Sequence, residues 1–194
     1  MTFHFSSTVF IAKVDFEFAV DDPALRIEMP DEVGQHTNLQ TAVDKHLEQK
    51  ETVACPNCQK RLTKTSTKKV VDPKPALVVF LNRIQDNPMS KTEAWKTMDR
   101  LEKRKYLPVK SNTEIGISHM LTLPLLDGTS VLYELVGTIE HFGNEPFGGH
   151  YVSNLWDKND SIWYTANDSE PLKKSESYEE FDVRRSAVFL YSRV

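Results

Sequence analysis

Residues 133–168 read YELVGTIEHFGNEPFGGHYVSNLWDKNDSIWYTAND, and their pattern predicts three β-strands. Polar and apolar residues alternate over 133–142, and the shorter stretches 150–155 and 162–166 have the same character. The segments between them, GNEPFGG and DKNDS, contain residues typical of loops and turns. The sequence therefore predicts an antiparallel meander whose second strand begins at His150.

His150 is the candidate catalytic residue of this meander. Imidazole titrates near neutral pH and suits proton transfer, and the preceding Gly148 and Gly149 allow a ligand or another backbone to approach closely. Neighbouring strands lie about 4.8 Å apart, so Asn167 or Asp168, at the end of the third strand, is within reach of the imidazole. Such a residue fixes the tautomer of the base in a triad of nucleophile, base and orienting group.

The segments YELVGTIEHFG, GGHY and WYTAND resemble the His box of the ubiquitin-specific cysteine proteases, in the same order and with similar spacing. The resemblance implies that His150 is the general base and acid, that Asn167 orients it, and that Asp168 is an assisting acid. It also implies that loop 143–149 closes over the tail of ubiquitin. Four residues are expected to contact that tail: Gly148, Gly149, Tyr151 and His141.

The resemblance spans nearly the whole chain and implies an α+β fold of the cysteine-proteinase-like, ubiquitin-specific protease type. It implies fingers over about 1–72, with a short helix over 38–48, and a palm over about 73–194, both built on antiparallel sheets with few helices. Thr37 and Gln40 predict a capping box for the short helix. Trp95, Met98 and Leu101, spaced by three residues, predict a further helix over 89–106.

Two cysteines are present, Cys55 and Cys58. A C-x-x-C pair supplies half of the four ligands of a structural zinc ion. The resemblance places the other half around residues 9–14, where the sequence has no cysteine. Two interpretations of the cysteines stay open, a zinc half-site and a pair of free thiols. A redox pair is disfavoured because the usual strand-to-helix context is missing. No other cofactor is expected.

The resemblance also implies a nucleophilic cysteine in an N-terminal Cys box, and it places Cys55 and Cys58 at the tip of the fingers, far from His150. We therefore expect the helical thumb and the nucleophile to be missing from this chain, and the chain to be inactive alone. Two functions stay open. The first is part of a thiol-dependent deubiquitinase that hydrolyses ubiquitin C-terminal (iso)peptide bonds, with the Cys box upstream or in a partner. The second is a catalytically dead ubiquitin-binding module with a regulatory role.

The composition and the absence of certain sequence patterns argue against nucleic acid and membranes as partners. The chain has 194 residues, a net charge of −4, 39% hydrophobic residues and 27% charged residues, which is typical of an ordinary globular domain. It has no basic face for nucleic acid, no apolar run of about 18 residues for a membrane helix, and no signal-peptide pattern. We expect a cytoplasmic or nuclear protein whose partner is ubiquitin or a ubiquitinated protein, with neither nucleic acid nor membrane as a partner.

Overall fold

The computed structural model describes residues 2–9, 12–21, 24–29, 37–54, 61–146 and 148–194. Its strands, in chain order, are β1 (Thr2–Val9), β2 (Ala12–Asp21), β3 (Leu25–Glu28), β4 (Thr37–Asn38), β5 (Glu48–Ala54), β6 (Arg61–Asp72), β7 (Ala76–Asn82), β8 (Ile84–Gln85), β9 (Val109–Lys110), β10 (Ile115–Gly116), β11 (Met120–Pro124), β12 (Ser130–Phe142), β13 (His150–Asp157), β14 (Ile162–Ala166), β15 (Lys173–Ser175) and β16 (Ser186–Arg193). The α-helices are α1 (Leu39–Leu47), α2 (Glu93–Thr97) and α3 (Arg100–Lys103). The α+β class predicted from the sequence is confirmed.

Two large sheets account for most of the strands. β1, β2, β5 and β6 form an antiparallel sheet in the order β2-β1-β6-β5. The second sheet has eight strands: seven in the order β15-β14-β13-β12-β16-β7-β3, and β11, which pairs with β12. The sheets are antiparallel as predicted except at two pairs: β3 runs parallel to β7 at the edge of the second sheet, and the short β4 and β10 are also parallel. An apolar strand pattern does not encode direction, because a strand buries the same alternate residues in either orientation.

The two faces of the eight-stranded sheet differ in burial. Alternate residues of β7 are buried in the core: Leu77, Val79 and Leu81. On the opposite face the register places four residues in one row across β7, β16, β12 and β13: Phe80, Val188, Ile139 and Ser153. Tyr151 and Leu155 flank Ser153 on this face because side chains alternate along a strand, and both are exposed. We call the face defined by these six residues the open face.

Helix α1 packs its apolar stripe into the core. It runs from Leu39 to Leu47, inside the predicted range 38–48, and Leu39, Val43 and Leu47 are buried. The predicted capping box is wrong, because Asn38 is the N-cap and its side chain accepts a hydrogen bond from the backbone N–H of Thr41 at 2.8 Å. An Asn is as good an N-cap as a Thr, and Thr37 pairs with Ile115 in the short parallel ladder instead.

The prediction of a helix over 89–106 is also wrong. The segment forms separate short pieces: a 3-10 turn at Pro88–Lys91, then α2, α3 and a 3-10 turn at Arg104–Tyr106. Met98 is extended, with ψ 145°, and ends α2. Asp99 caps α3 by accepting from the N–H groups of Leu101 and Glu102, so the chain begins a new helix where the periodic pattern predicts continuation. Across the described ranges no helix is long and apolar enough to cross a membrane.

Arg83, just after β7, joins three segments that are far apart in sequence. Its side chain is 4% exposed. Nε donates to the carbonyl of Ser186 at 2.7 Å, Nη1 to that of Thr113 at 2.9 Å, and Nη2 to that of Val183 at 2.6 Å. Nη1 also lies 3.3 Å from the carbonyl of Ser111. Burial lowers the pKa of Arg83 to about 10. These bonds hold the loops before β10 and before β16 against the edge of the sheet.

Candidate active site

His150 and Asn167 are brought together by the pairing of β13 with β14. The register pairs Ser153 with Ala166, so the residue that follows β14 lies beside the beginning of β13. Nε2 of His150 is hydrogen-bonded to Oδ1 of Asn167. Because an amide oxygen only accepts hydrogen bonds, Nε2 carries the proton and Nδ1 keeps its lone pair. The ring therefore presents a basic nitrogen on the side away from Asn167.

Asp168 is near the same ring but is not hydrogen-bonded to it. Its Oδ2 lies 3.7 Å from Nδ1 of His150, and its side chain is 78% exposed whereas that of His150 is 44% exposed. The residue has φ 47°, a left-handed conformation that Asp tolerates better than most residues. A carboxylate at this distance stabilises an imidazolium ion, and water screens most of the effect.

The four residues predicted to contact the ubiquitin tail lie together at the base of loop 143–149. The ring of His141 is stacked at a tilt on that of Tyr151, with centroids 4.7 Å apart. Gly149 has φ 154°, and a Cβ there would lie 2.3 Å from Nε2 of His141 and 2.3 Å from the carbonyl oxygen of Phe142. Glycine is therefore required at 149, because the carbonyl oxygen is backbone and cannot move aside freely.

His141 is neutral near pH 7. Burial and the charge of Lys110 lower its pKa from 6.5, and a hydrogen bond with the backbone of Gly148 opposes this shift. The neutral ring packs on Tyr151 and contacts the backbone of Gly148 at the end of the loop. A groove of about 90 Å³ lies beside it, and its lining includes Tyr151, Pro146 and Phe80.

A buried polar network that the sequence analysis missed joins β12, β13 and β14. Nδ2 of Asn154 donates to Oγ1 of Thr138 at 3.0 Å and to Oε1 of Glu140 at 2.8 Å, and Oδ1 of Asn154 accepts from Oγ1 of Thr165 at 2.6 Å. The first three of these side chains are buried. The network ties together the strands that carry His150 and Asn167. Its signal in the sequence is a set of polar residues at alternating positions that point to the core.

Glu140 gives the network a pH dependence. Burial raises its pKa above 4.5, and the nearby Asp182 adds to this, while the bond from Asn154 opposes it. A raised folded-state pKa means that the contribution to stability is complete below about pH 4.5 and is lost as the pH rises through the folded-state value. Protonated Glu140 is therefore the form that the fold prefers.

We expect Glu140→Gln to be more stable than the wild type at pH 7 and equal to it near pH 4. Glutamine keeps the oxygen that accepts from Asn154 and cannot ionise. Urea unfolding of both proteins at the two pH values measures the difference, in which the titration of all other carboxyl groups cancels. An equal difference at both pH values would contradict the assignment.

The structure does not place the predicted zinc half-site. Cys55 and Cys58 fall in the connection between β5 and β6, outside the described residues. Within the described part of the chain no group of three or more His, Cys, Asp or Glu side chains could hold a metal ion. Zinc binding by the two cysteines stays a prediction.

Comparison with known proteins identifies the family. The family model "Ubiquitin carboxyl-terminal hydrolase" matches residues 31–191. Human ubiquitin carboxyl-terminal hydrolase 37 is 35% identical over 60 residues, which are 30% of this chain and 6% of that protein. Mouse ubiquitin carboxyl-terminal hydrolase 29 is 33% identical over 60 residues, which are 30% of this chain and 7% of that protein. The matched segment is thus a small part of these relatives' length.

Solved structures show the same fold at low sequence identity. The SAGA Ubp8/Sgf11/Sus1/Sgf73 DUB module bound to ubiquitin aldehyde matches with a TM-score of 0.72 and 15% identity, covering 100% of this chain and 41% of that chain. A related SAGA DUB module bound to monoubiquitin matches with a TM-score of 0.71 and 17% identity, covering 100% and 40%. The predicted ubiquitin-specific protease fold is confirmed. With a family model that covers most of its length and this fold, the chain belongs to the ubiquitin carboxyl-terminal hydrolase family.

Proposed function

We propose that this chain supplies the base and the ubiquitin-tail site of a thiol-dependent deubiquitinase that hydrolyses ubiquitin C-terminal (iso)peptide bonds. The observation that carries the proposal is the hydrogen bond between Nε2 of His150 and Oδ1 of Asn167. It leaves Nδ1 unprotonated, which is the state that a general base requires.

His150 would act twice in each half of the reaction. Nδ1 first takes the proton of a cysteine thiol, and the thiolate attacks the carbonyl carbon at the end of ubiquitin. The imidazolium then gives this proton to the leaving lysine amine, which leaves a thioester. A water molecule replaces the amine in the second half, and its proton passes through Nδ1 to the departing thiolate. Asn167 stays neutral throughout and holds the ring by accepting from Nε2.

We infer that the thiol comes from polypeptide outside these 194 residues, either elsewhere in the same protein or in a partner. Cys55 and Cys58 follow β5 of the four-stranded sheet, whereas His150 begins a strand of the eight-stranded sheet. The open face, with Phe80 and Leu155 exposed, is an apolar surface on which a thumb-like unit that carries the nucleophile would pack.

Ubiquitin is the proposed partner of the groove beside His141 and Tyr151. The supporting observations are the aromatic rings of Tyr151 and Phe80 in its lining and the close packing of Gly149 on His141, which also lines it. The two SAGA DUB modules with the same fold were solved with ubiquitin aldehyde and with monoubiquitin.

A second candidate is ubiquitin binding without catalysis. It is favoured by the place of both cysteines in the sequence, between β5 and β6 of the four-stranded sheet, whereas His150 begins a strand of the eight-stranded sheet. The hydrogen-bonded His150 and Asn167 favour catalysis, because gripping a folded partner does not require a base with an oriented lone pair.

Binding of ubiquitin with and without its last two residues tests the tail site. We expect the chain to bind intact ubiquitin at least about tenfold more tightly than the truncated form, which corresponds to about 1.4 kcal/mol. We expect no hydrolysis of a ubiquitin C-terminal fluorogenic amide by the chain alone, and hydrolysis when the polypeptide with the nucleophile is present. Equal affinity for both forms would contradict the tail site. Hydrolysis by the chain alone that is lost in Cys55→Ser or Cys58→Ser would contradict the external thiol.

A further inference from the structure

Lys110 contacts the point where β12 ends and loop 143–149 begins. Its ammonium group donates to the carbonyl oxygen of His141 and, at 2.9 Å, to that of Gly143. Lys110 is held from behind by its pairing with Ile84 in the short ladder of β8 and β9. The side chain thus links the ladder of β8 and β9 to two backbone acceptors of the loop stem that are two residues apart.

The two ends of the loop touch each other at this stem. A Cβ on Gly143 would lie 2.9 Å from the carbonyl oxygen of Gly148 and 3.1 Å from Cα of Gly149. Gly143 has φ 131° and Gly149 has φ 154°, so the backbone turns sharply at both ends. A group that holds the carbonyl of Gly143 therefore also determines where Gly149 lies, and the next residue is His150.

The charged ammonium group of Lys110 donates its hydrogen bonds to neutral acceptors. Both carbonyl oxygens gain from a cationic donor, and such bonds are stronger than bonds between neutral groups. Arg83 and Arg185 lie close enough to lower the pKa of Lys110, after burial as the first cause, and Asp182 opposes them. The hydrogen bonds to the two carbonyl groups hold the ammonium group in place beside these two other cations.

We propose that Lys110 is a positioning residue that locks the stem of this loop, at Gly143, Gly148 and Gly149, in the conformation that shapes the ubiquitin-tail groove. Lys110 also lines that groove together with His141, Pro146 and Tyr151. Release of the stem moves Gly148 and Gly149 away from His141 and widens the groove. The consequence for ubiquitin rests on the proposed function, whereas the consequence for the loop does not.

Lys110→Met tests the lock because methionine has a similar length and no donor. Backbone ¹⁵N order parameters at Gly143, Gly148 and Gly149 are expected to fall from the rigid range near 0.85 to below about 0.6. Lys110→Arg keeps a cationic donor and is expected to stay near the wild-type values. Lys158→Met, which removes an exposed lysine from the turn between β13 and β14, is the matched control and is expected to change nothing at the loop.

A second readout follows the tail. The preference for intact over tail-truncated ubiquitin is expected to fall at least about fivefold, or about 1 kcal/mol, in Lys110→Met and to be restored in Lys110→Arg. Unchanged order parameters in Lys110→Met overturn the proposal, whatever the change in the preference for intact over tail-truncated ubiquitin. If the wild type binds intact and tail-truncated ubiquitin equally well, the proposed function is overturned. The order parameters still test whether Lys110 holds the loop stem. If Lys110→Met does not fold, Lys110→Gln replaces it, because its shorter side chain cannot span to both carbonyls, and the same order parameters decide.

Discussion

Replacing His150 with Gln in the polypeptide that contains the nucleophile is expected to lower kcat/KM for a ubiquitin C-terminal amide by about 10³–10⁴-fold. General acid–base catalysis by a positioned side chain contributes up to about 10⁴-fold, and a glutamine amide cannot take the thiol proton near neutral pH. Affinity for ubiquitin is expected to stay within about threefold, because the groove is lined by His141 and Tyr151 rather than by His150. Steady-state kinetics and a binding isotherm on the same preparations measure both quantities.

His119→Gln is the matched control for this experiment. His119 is a second partly exposed histidine, stacked on Tyr178 with ring centroids 5.4 Å apart and 3.5 Å from Glu134. It has no contact with Asn167 in the described structure, and its replacement is expected to leave kcat/KM within about twofold. A loss of ubiquitin affinity in His150→Gln as large as the loss of kcat/KM would show that His150 is structural.

Asn167→Ala distinguishes orientation from proton transfer. Without the amide oxygen the proton can sit on either ring nitrogen, so the productive tautomer is a fraction of the population and the ring is free to turn. We expect a smaller loss than for His150→Gln, about 10–100-fold in kcat/KM. The hydrogen bond between His150 and Asn167 is already made in this structure. We therefore attribute the expected loss of kcat/KM to the orientation of His150 and not to assembly of the site.

The meander was predictable because its information is local. Period-two alternation is carried by neighbouring residues, and the third strand was placed at 162–166, as observed for β14. The same alternation placed His150 at the start of β13. Pairing of successive strands then follows from short loops. The proximity of His150 to Asn167 needed no more than this.

Features that depend on distant residues were not predictable in the same way. The segment 89–106 was misinterpreted because three-residue spacing describes a helical face only if a core lies opposite, and Leu101 is 71% exposed. Trp95 instead contacts Tyr106 within the segment, at 6.5 Å between ring centroids. Asn154 looks like a surface residue until the register sets it across from Thr138, with Glu140 within hydrogen-bond reach on the same strand. The periodicity of a short segment contains no information about contacts with residues that are distant in sequence.

Arg83→Met is expected to lower the free energy of unfolding by about 3–5 kcal/mol, the range for loss of one partner from a buried charged network. The variant removes the donors to the carbonyls of Ser186, Thr113 and Val183. Val183 still accepts from the backbone N–H of Ile115 at 3.3 Å, and a buried acceptor that is left without any partner costs about 1–3 kcal/mol. Relief of the desolvation penalty on the guanidinium, which lowers its pKa to about 10, offsets part of the loss. Urea unfolding followed by far-UV circular dichroism measures the change.

The neighbouring Arg184 makes a matched control. It pairs with Glu114 at the surface, where its side chain is 61% exposed, so Arg184→Met is expected to cost less than about 1 kcal/mol. Arg83→Lys is a sharper variant, because lysine keeps the charge but cannot present donors in three fixed directions. If the charge alone mattered, Arg83→Lys would be as stable as the wild type. If the fork of donors joins the loops before β10 and β16, as the bonds indicate, Arg83→Lys loses most of what Arg83→Met loses.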